Sequence, residues 1–204
     1  MLEELFNLVK GVAGNAVVNN PEVPNDQNNA VMAEATNTVA SGLRNIVAGG
    51  GLGSLVSLLK GSGNGNDDKS SLLSNPIVAM MVGHFAGKLM NKFNLGNNEA
   101  NNVATSLIPG VISSLINKTN SSDAGGTFSI DNLLRSITGG QTEQVQQNSG
   151  TSITDLIGQL AGGNGHSNAG GLMDIVSQLA QGAQAQQQRN GGGGLLDLIK
   201  GFTQ

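Results

Sequence analysis

Residues able to do chemistry are sparse in this chain. His84 and His166 are the only imidazoles, there is no Cys, and Asp and Glu together number 14 among 204 residues. The stretch nearest to a phosphate-cradling loop is Gly83-His84-Phe85-Ala86-Gly87-Lys88-Leu89. Such a loop needs four residues between its glycines, Ser or Thr directly after the Lys to reach Mg²⁺, and a strand-to-helix setting. Here three residues intervene, Leu89 follows the Lys, and the surrounding pattern is helical. The two glycines read instead as a flat helix face on which another helix can come close, a device best attested in membranes. His84 has Lys88 four positions on and no acid in its helix, so it lacks the carboxylate that orients a general base. His166 follows Gly162-Gly163-Asn164-Gly165, a setting too mobile for catalysis. Asp67-Asp68 lacks the alternating oxygen ligands and distal Glu of a calcium loop and reads as solvated charge. The missing Cys excludes disulfide scaffolds, zinc fingers, iron–sulfur clusters and thiol catalysis. The expectation is a protein that is not an enzyme, with no catalytic residue, no cofactor and no metal ligand.

Binding chemistry is bounded by charge. The formal net charge is −4, with seven Lys/Arg and eight Asp/Glu in residues 1–118 and three and six thereafter. Affinity for nucleic acid rests on clustered Lys/Arg that neutralise phosphates. A helix pair over 77–118 could mimic a helix-turn-helix, and Asn97, Asn98, Asn101 and Asn102 could offer base-reading amides at the start of its second helix. Glu99 is the only charge there until Lys118, so nucleic-acid binding through 97–118 stands as the alternative reading and the asparagines as a solvated face. Peripheral membrane association is a second alternative. It would use the helix at 2–13 and the stretch 193–202, but each carries one Lys with acids beside it, whereas interfacial helices favour Lys/Arg and Trp. Two acids precede the first Lys, at position 10, which is unlike a secretory signal. The longest apolar run, Ile77 to Met90, is broken by Gly83, His84, Gly87 and Lys88, short of the ~20 residues that cross a bilayer. A soluble cytoplasmic protein is expected.

The elements that must position these residues are helices. Leu2, Leu5, Phe6, Leu8, Val9 and Val12 recur at helical spacing, and Gly14 is placed to close that helix. Residues 15–26, with Pro21 and Pro24, predict a loop, and Asp26 an N-cap. Val31, Ala35, Val39, Leu43 and Ile46/Val47 form one stripe that Gly49-Gly50-Gly51 stops. A short helix follows over 52–60 with Leu55, Leu58 and Leu59 inward. The run GSGNGNDDKSS at 61–71 is a flexible linker by composition. Ser74 or Asn75 then caps a helix with Pro76 at its first position, where a missing amide hydrogen costs nothing. Its apolar face is Ile77, Met81, Phe85 and Leu89, widened by Val78, Val82, Met90 and Phe93. Asn94-Leu95-Gly96 is a turn, with Asn94 left-handed, Gly96 at the N-cap and Glu99 at N3. The next helix runs to about Lys118. Val103, Leu107, Val111 and Leu115 lie on one edge, with Ala104, Ile108, Ile112 and Ile116 beside them, and Pro109 in the middle should kink it. Later, short blocks alternate with Gly/Gln/Asn spacers: 132–137, Asp155 to Leu160, Asp174 to Leu179, and 196–199. Most open on Asp followed by two apolar residues.

The run Ser74-Asn75-Pro76, Gly83, Ala86-Gly87-Lys88-Leu89-Met90-Asn91-Lys92-Phe93-Asn94-Leu95, then Ala100, Ala104, Leu107-Ile108-Pro109 and Ile112, resembles the YidB-like bacterial family of unassigned function. The opening Leu2 to Lys10 and Asn19-Asn20-Pro21 with Pro24 resemble its longer branch. The likeness covers roughly residues 1–140, with Asn94 where that family has Gly and Gly96 where it has an acidic or hydroxyl cap. It implies an all-helical fold and no catalytic residues.

The fold class expected is all-α: a compact multihelical domain of two helical halves, 1–60 and 74–140, joined by a flexible linker at 61–73. A Gly/Gln/Asn-rich tail with short amphipathic helices follows at 141–204. The function expected is a non-catalytic helical interaction or assembly protein that uses apolar helix faces and tail segments. Its partner would be another protein or a second copy, with no small-molecule substrate. Removing 141–204 is expected to leave the fold intact and change the oligomeric state.

Overall fold

The computed structural model describes residues 2–60, 69–121, 128–139 and 177–185. Among these residues every regular element is helical and no strand occurs, in agreement with the all-α expectation. The helices are α1 (Leu2–Ala13), α2 (Asn28–Ala48), α3 (Leu52–Lys60), α4 (Lys69–Leu73), α5 (Pro76–Phe93), α6 (Asn97–Ser121) and α7 (Ile130–Thr138). Residues 177–185 form a further helical segment. The chain packs as two units. Among the described residues, one comprises 2–42 and 69–117; the other comprises 43–60, 118–121, 128–139 and 177–185.

In the first unit, α1 buries Leu5, Val9 and Ala13. Gly14 does not end the helical path as its type suggested. It has no positive φ, and the chain continues in a wider π turn over Gly14–Val18, where the Asn19 amide donates to the Gly14 carbonyl at 2.8 Å. That extra turn carries Val17 to complete burial, which a left-handed stop at Gly14 would forgo. Asp26 is not an N-cap either. Pro24, at φ −57°, opens a 3₁₀ turn over Asn25–Gln27 by itself, with the Gln27 amide on the Pro24 carbonyl at 2.9 Å. Asp26 stays exposed.

Helix α2 is enclosed more widely than one stripe implies. Besides Val31, Ala35 and Val39, it buries Met32, Ala33, Ala40, Thr36 and Thr38. The two threonines are admissible inside because their hydroxyls donate one turn back, to the Met32 and Glu34 carbonyls at 2.9 and 2.8 Å. Lys69–Leu73, expected as the end of a linker, is the short helix α4 with Leu72 buried; residues 61–68 lie outside the described residues. Asn75 then caps α5, its Oδ1 accepting from the Ile77 amide at 2.9 Å, with Pro76 at the first helical position. Asn94 closes α5 at φ 55°, in the left-handed region, and Gly96 opens α6, its carbonyl accepting from the Ala100 amide at 2.9 Å. The Glu99 carboxylate folds back into the space where any other residue at 96 would put its Cβ. This is the physical reason that Gly serves where a capping side chain was to be expected. Helix α6 continues through Pro109 to Ser121, and all eight residues of the expected double stripe are at most 1% exposed.

In the second unit, α2 ends at Ala48 as Gly50 turns left-handed at φ 79° and the Gly51 amide reaches back to the Ile46 carbonyl at 2.8 Å. α3 buries Leu52, Leu55, Val56, Leu58 and Leu59. α7 has a cap at each end. Ser129 accepts from the Asn132 amide at 3.3 Å, and Gly139 is left-handed at φ 68°, which leaves Leu133, Leu134 and Ile137 inward. Segment 177–185 buries Leu179 and Ala183, and its Gln184 Nε2 donates to the Ala48 carbonyl at 3.3 Å. This part of the sequence, read as a loosely held tail, is seated on the end of α2.

Candidate functional site

Helix α5 divides its surface between two uses. Val78, Met81, Val82, Phe85, Ala86 and Leu89 are buried; of the apolar face read from the spacing, Ile77, Met90 and Phe93 are only half-buried. The opposite side is open: Ala79, Met80, Gly83 and His84 are exposed and Gly87 is half-buried. Met80 is 64% exposed, the most open large apolar side chain among the described residues. At Gly83 and Gly87 no neighbouring heavy atom lies within 4 Å of the position a Cβ would take. The outcome is a shallow, side-chain-free notch with an apolar side chain standing beside it. Met80 was not singled out by the spacing, although it lies three residues before Gly83 and therefore on the glycine side of the helix.

The same helix is tied down on a third side by charge. Lys88 and Lys92, one turn apart, converge on Glu34 of α2. Lys92 Nζ donates to Oε2 at 2.8 Å, and Lys88 Nζ lies 2.7 Å from Oε1, in ion-pair range though off the direction of an ideal hydrogen bond. Burial is the strongest influence on the Glu34 carboxyl and pushes its pKa up. Pairing with Lys88 and Lys92 outweighs burial, so the carboxyl titrates below its ordinary value. Lys88, the cation that gave Gly83–Leu89 its likeness to a phosphate loop, is thus neutralised by a carboxylate, in mid-helix. A little further along the packing of α2 on α5, a Cβ at Gly42 would stand 2.6 Å from Met81 Cε, so Gly42 is what lets the two helices approach.

Other candidate residues are not brought together. His84 is exposed, and α5 contains no acid to orient it. No group of three or more His, Cys, Asp or Glu among the described residues could hold a metal ion. Asn97, Asn98, Asn101 and Asn102 are exposed at the start of α6, as a base-reading helix would require. However, the Asn101 amide donates to both the carbonyl and the side-chain oxygen of Asn97 at 2.8 Å, which commits two of the four to each other. On α1 the residues an interfacial helix would put into lipid, Leu5 and Val9, are buried, and no helix among the described residues is long and apolar enough to cross a membrane. Asp67, Asp68, His166 and the stretch 193–202 lie outside the described residues.

One residue that the periodicity passed over is Arg44. It is 7% exposed, and its Nε has no hydrogen-bond partner. The signal was available: a lone cation four residues after Ala40 and three before Val47 falls on an apolar helix face. Comparison with protein-family models, with curated proteins and with solved structures finds no match to this chain.

Proposed function

We propose that this chain is a non-catalytic helical assembly protein, cytoplasmic and of the YidB-like bacterial group, that docks a helix of a second copy or of another protein on the outer face of α5. One observation carries the reading: α5 keeps two glycines in an exposed helix interior, beside Met80. A glycine there costs roughly 0.5–1 kcal/mol relative to Ala, and at neither Gly83 nor Gly87 would a Cβ meet any atom of the described residues within 4 Å. Close approach by an outside helix would give the missing return, because backbone can then meet backbone without intervening side chains. The Asp-led blocks of the later sequence, short and apolar on one side, are the kind of segment that fits such a face.

The test separates folding from docking by the sign of two effects. Gly83→Leu and Gly87→Leu have room on the free chain, so each is expected to raise stability against urea by about 0.5–1 kcal/mol. Both are expected to abolish association, followed by sedimentation velocity of the chain alone and by mass measurement of complexes purified with it. A wild-type chain that sediments as a monomer and retains the same partners in both variants would defeat the reading.

A further inference from the structure

The chain contains six methionines and no cysteine, so the thioether is the one form of sulfur it offers to a two-electron oxidant. Helix α5 holds two of these methionines side by side in opposite surroundings: Met81 is 3% exposed and Met80 64%. The Met81 thioether is pressed on α2 where Gly42 leaves bare backbone, and a Cβ at Gly42 would stand 3.0 Å from Met81 Sδ. Met32 of α2 is also buried, and Met90 is half-buried. Oxidation of a thioether follows its access to the oxidant, so among the described methionines the fold leaves that chemistry to Met80. Its neighbours give no shelter. The positions one turn away along α5 are Pro76, Ile77, Gly83 and His84; Pro76, Gly83 and His84 are exposed. No atom of the described residues lies within 4 Å of the point where a Cβ at Gly83 would stand.

We propose that Met80 is an oxidation site for peroxides and that its sulfoxide switches off docking on α5; the switch rests on the docking function proposed above, and the site does not. In the step, a lone pair of Met80 Sδ attacks one oxygen of hydrogen peroxide and the O–O bond breaks. The other oxygen leaves as hydroxide and takes the proton of the transferred oxygen to become water. The thioether gives up two electrons and gains one oxygen, and the peroxide is reduced. The product is polar where the thioether was apolar. On the free chain water solvates the new oxygen, so folding is unaffected. A helix seated over Gly83 strips that water away, and of the four neighbouring positions only His84 has a side-chain hydrogen-bond donor. A buried acceptor without a partner is costly, which places the effect of oxidation on association and not on stability.

The full-length protein is treated with hydrogen peroxide, folded and in urea, and each methionine is followed by peptide mass mapping. In the folded chain Met80 is expected to convert on the order of tenfold faster than Met32 and Met81, and in urea the three rates converge. Association, followed as for the glycine variants, is then compared in untreated protein, in protein oxidised until Met80 is converted, and in oxidised protein restored by sulfoxide reductases of both epimer specificities. Oxidation is expected to weaken association by about tenfold, the reductases to restore it, and the urea midpoint to stay in place. Met80→Leu, apolar and without sulfur, associates with or without peroxide, whereas Met80→Gln associates weakly in both. Equal rates at Met80 and Met81 in the folded chain overturn the site. Loss of association in oxidised Met80→Leu overturns the switch. So does full association of the oxidised wild type while Gly83→Leu abolishes it, a result that leaves the docking function standing. A wild-type chain that never associates defeats the docking function and the switch together, and the peroxide maps decide the site by themselves.

Discussion

At the scale of single residues, the best-determined electrostatic feature is Glu34 between Lys88 and Lys92. Its carboxyl is depressed in the folded chain relative to the ordinary value of 4.5, so the folded state prefers the ionised form. The stability this provides is fully present above pH 4.5 and is lost as pH falls through that value toward the lower folded one. Glu34→Gln is therefore expected to lower stability at pH 7 by about 1 kcal/mol. The deficit should shrink as the buffer is taken below 4.5, where wild type loses the same charge. Urea unfolding at a series of pH values measures both limbs. Part of the effect should disappear in salt, because Lys92 is 56% exposed. The residue types alone showed that a Glu and two Lys exist; that they meet is a matter of how α2 lies on α5, at a separation of more than fifty positions.

At the scale of elements, the reading of spacing succeeded where one rule acts alone. The Asn75 cap, the left-handed Asn94, Gly96 at the start of α6 and the double stripe of α6 all follow from local backbone needs or from a single period. It failed where two rules compete. Gly14 and Asp26 are good terminators by type, yet burial of Val17 and the fixed φ of Pro24 decided those boundaries. Glycines illustrate the same division. Gly83 and Gly110 both stand inside helices, and nothing in their neighbours' types tells them apart. A Cβ at Gly83 would meet open space, whereas at Gly110 of α6 it would stand 2.8 Å from Val12 Cγ1 of α1. Val12 is β-branched and cannot swing clear. Gly110→Ala is thus expected to destabilise by about 1–2 kcal/mol despite its better helix propensity. Val12→Ala in the same chain should recover at least roughly 0.5 kcal/mol of that loss as a coupling energy. Equilibrium denaturation of the two single variants and the double variant closes the cycle, and independent effects would show that α1 and α6 do not meet there.

At the scale of the whole molecule, the part of the sequence read as a dispensable tail contributes to a unit. Leu179 is 1% exposed and Ala183 is fully buried. Leu179→Ala is accordingly expected to cost about 2–5 kcal/mol, the range for emptying a buried leucine site, and truncation after residue 140 to lower the melting temperature rather than leave it unchanged. Thermal and chemical melts distinguish these outcomes from the sequence-based expectation of an intact truncated fold. Of 141–204 only 177–185 are described, and there a buried leucine and an amide on the Ala48 carbonyl support a short helix that would be marginal alone. By itself the sequence determined the all-α class, most helix boundaries and which faces are apolar, because helical period, capping and glycine conformation act over a few neighbouring residues. Only the tertiary structure decided that Met80 and Gly83 lie open with Gly87 half-buried, that Lys88 is neutralised by Glu34, and that Arg44 is buried with its Nε unbonded. Exposure and charge pairing are sums over elements far apart in the chain, and no local pattern carries them.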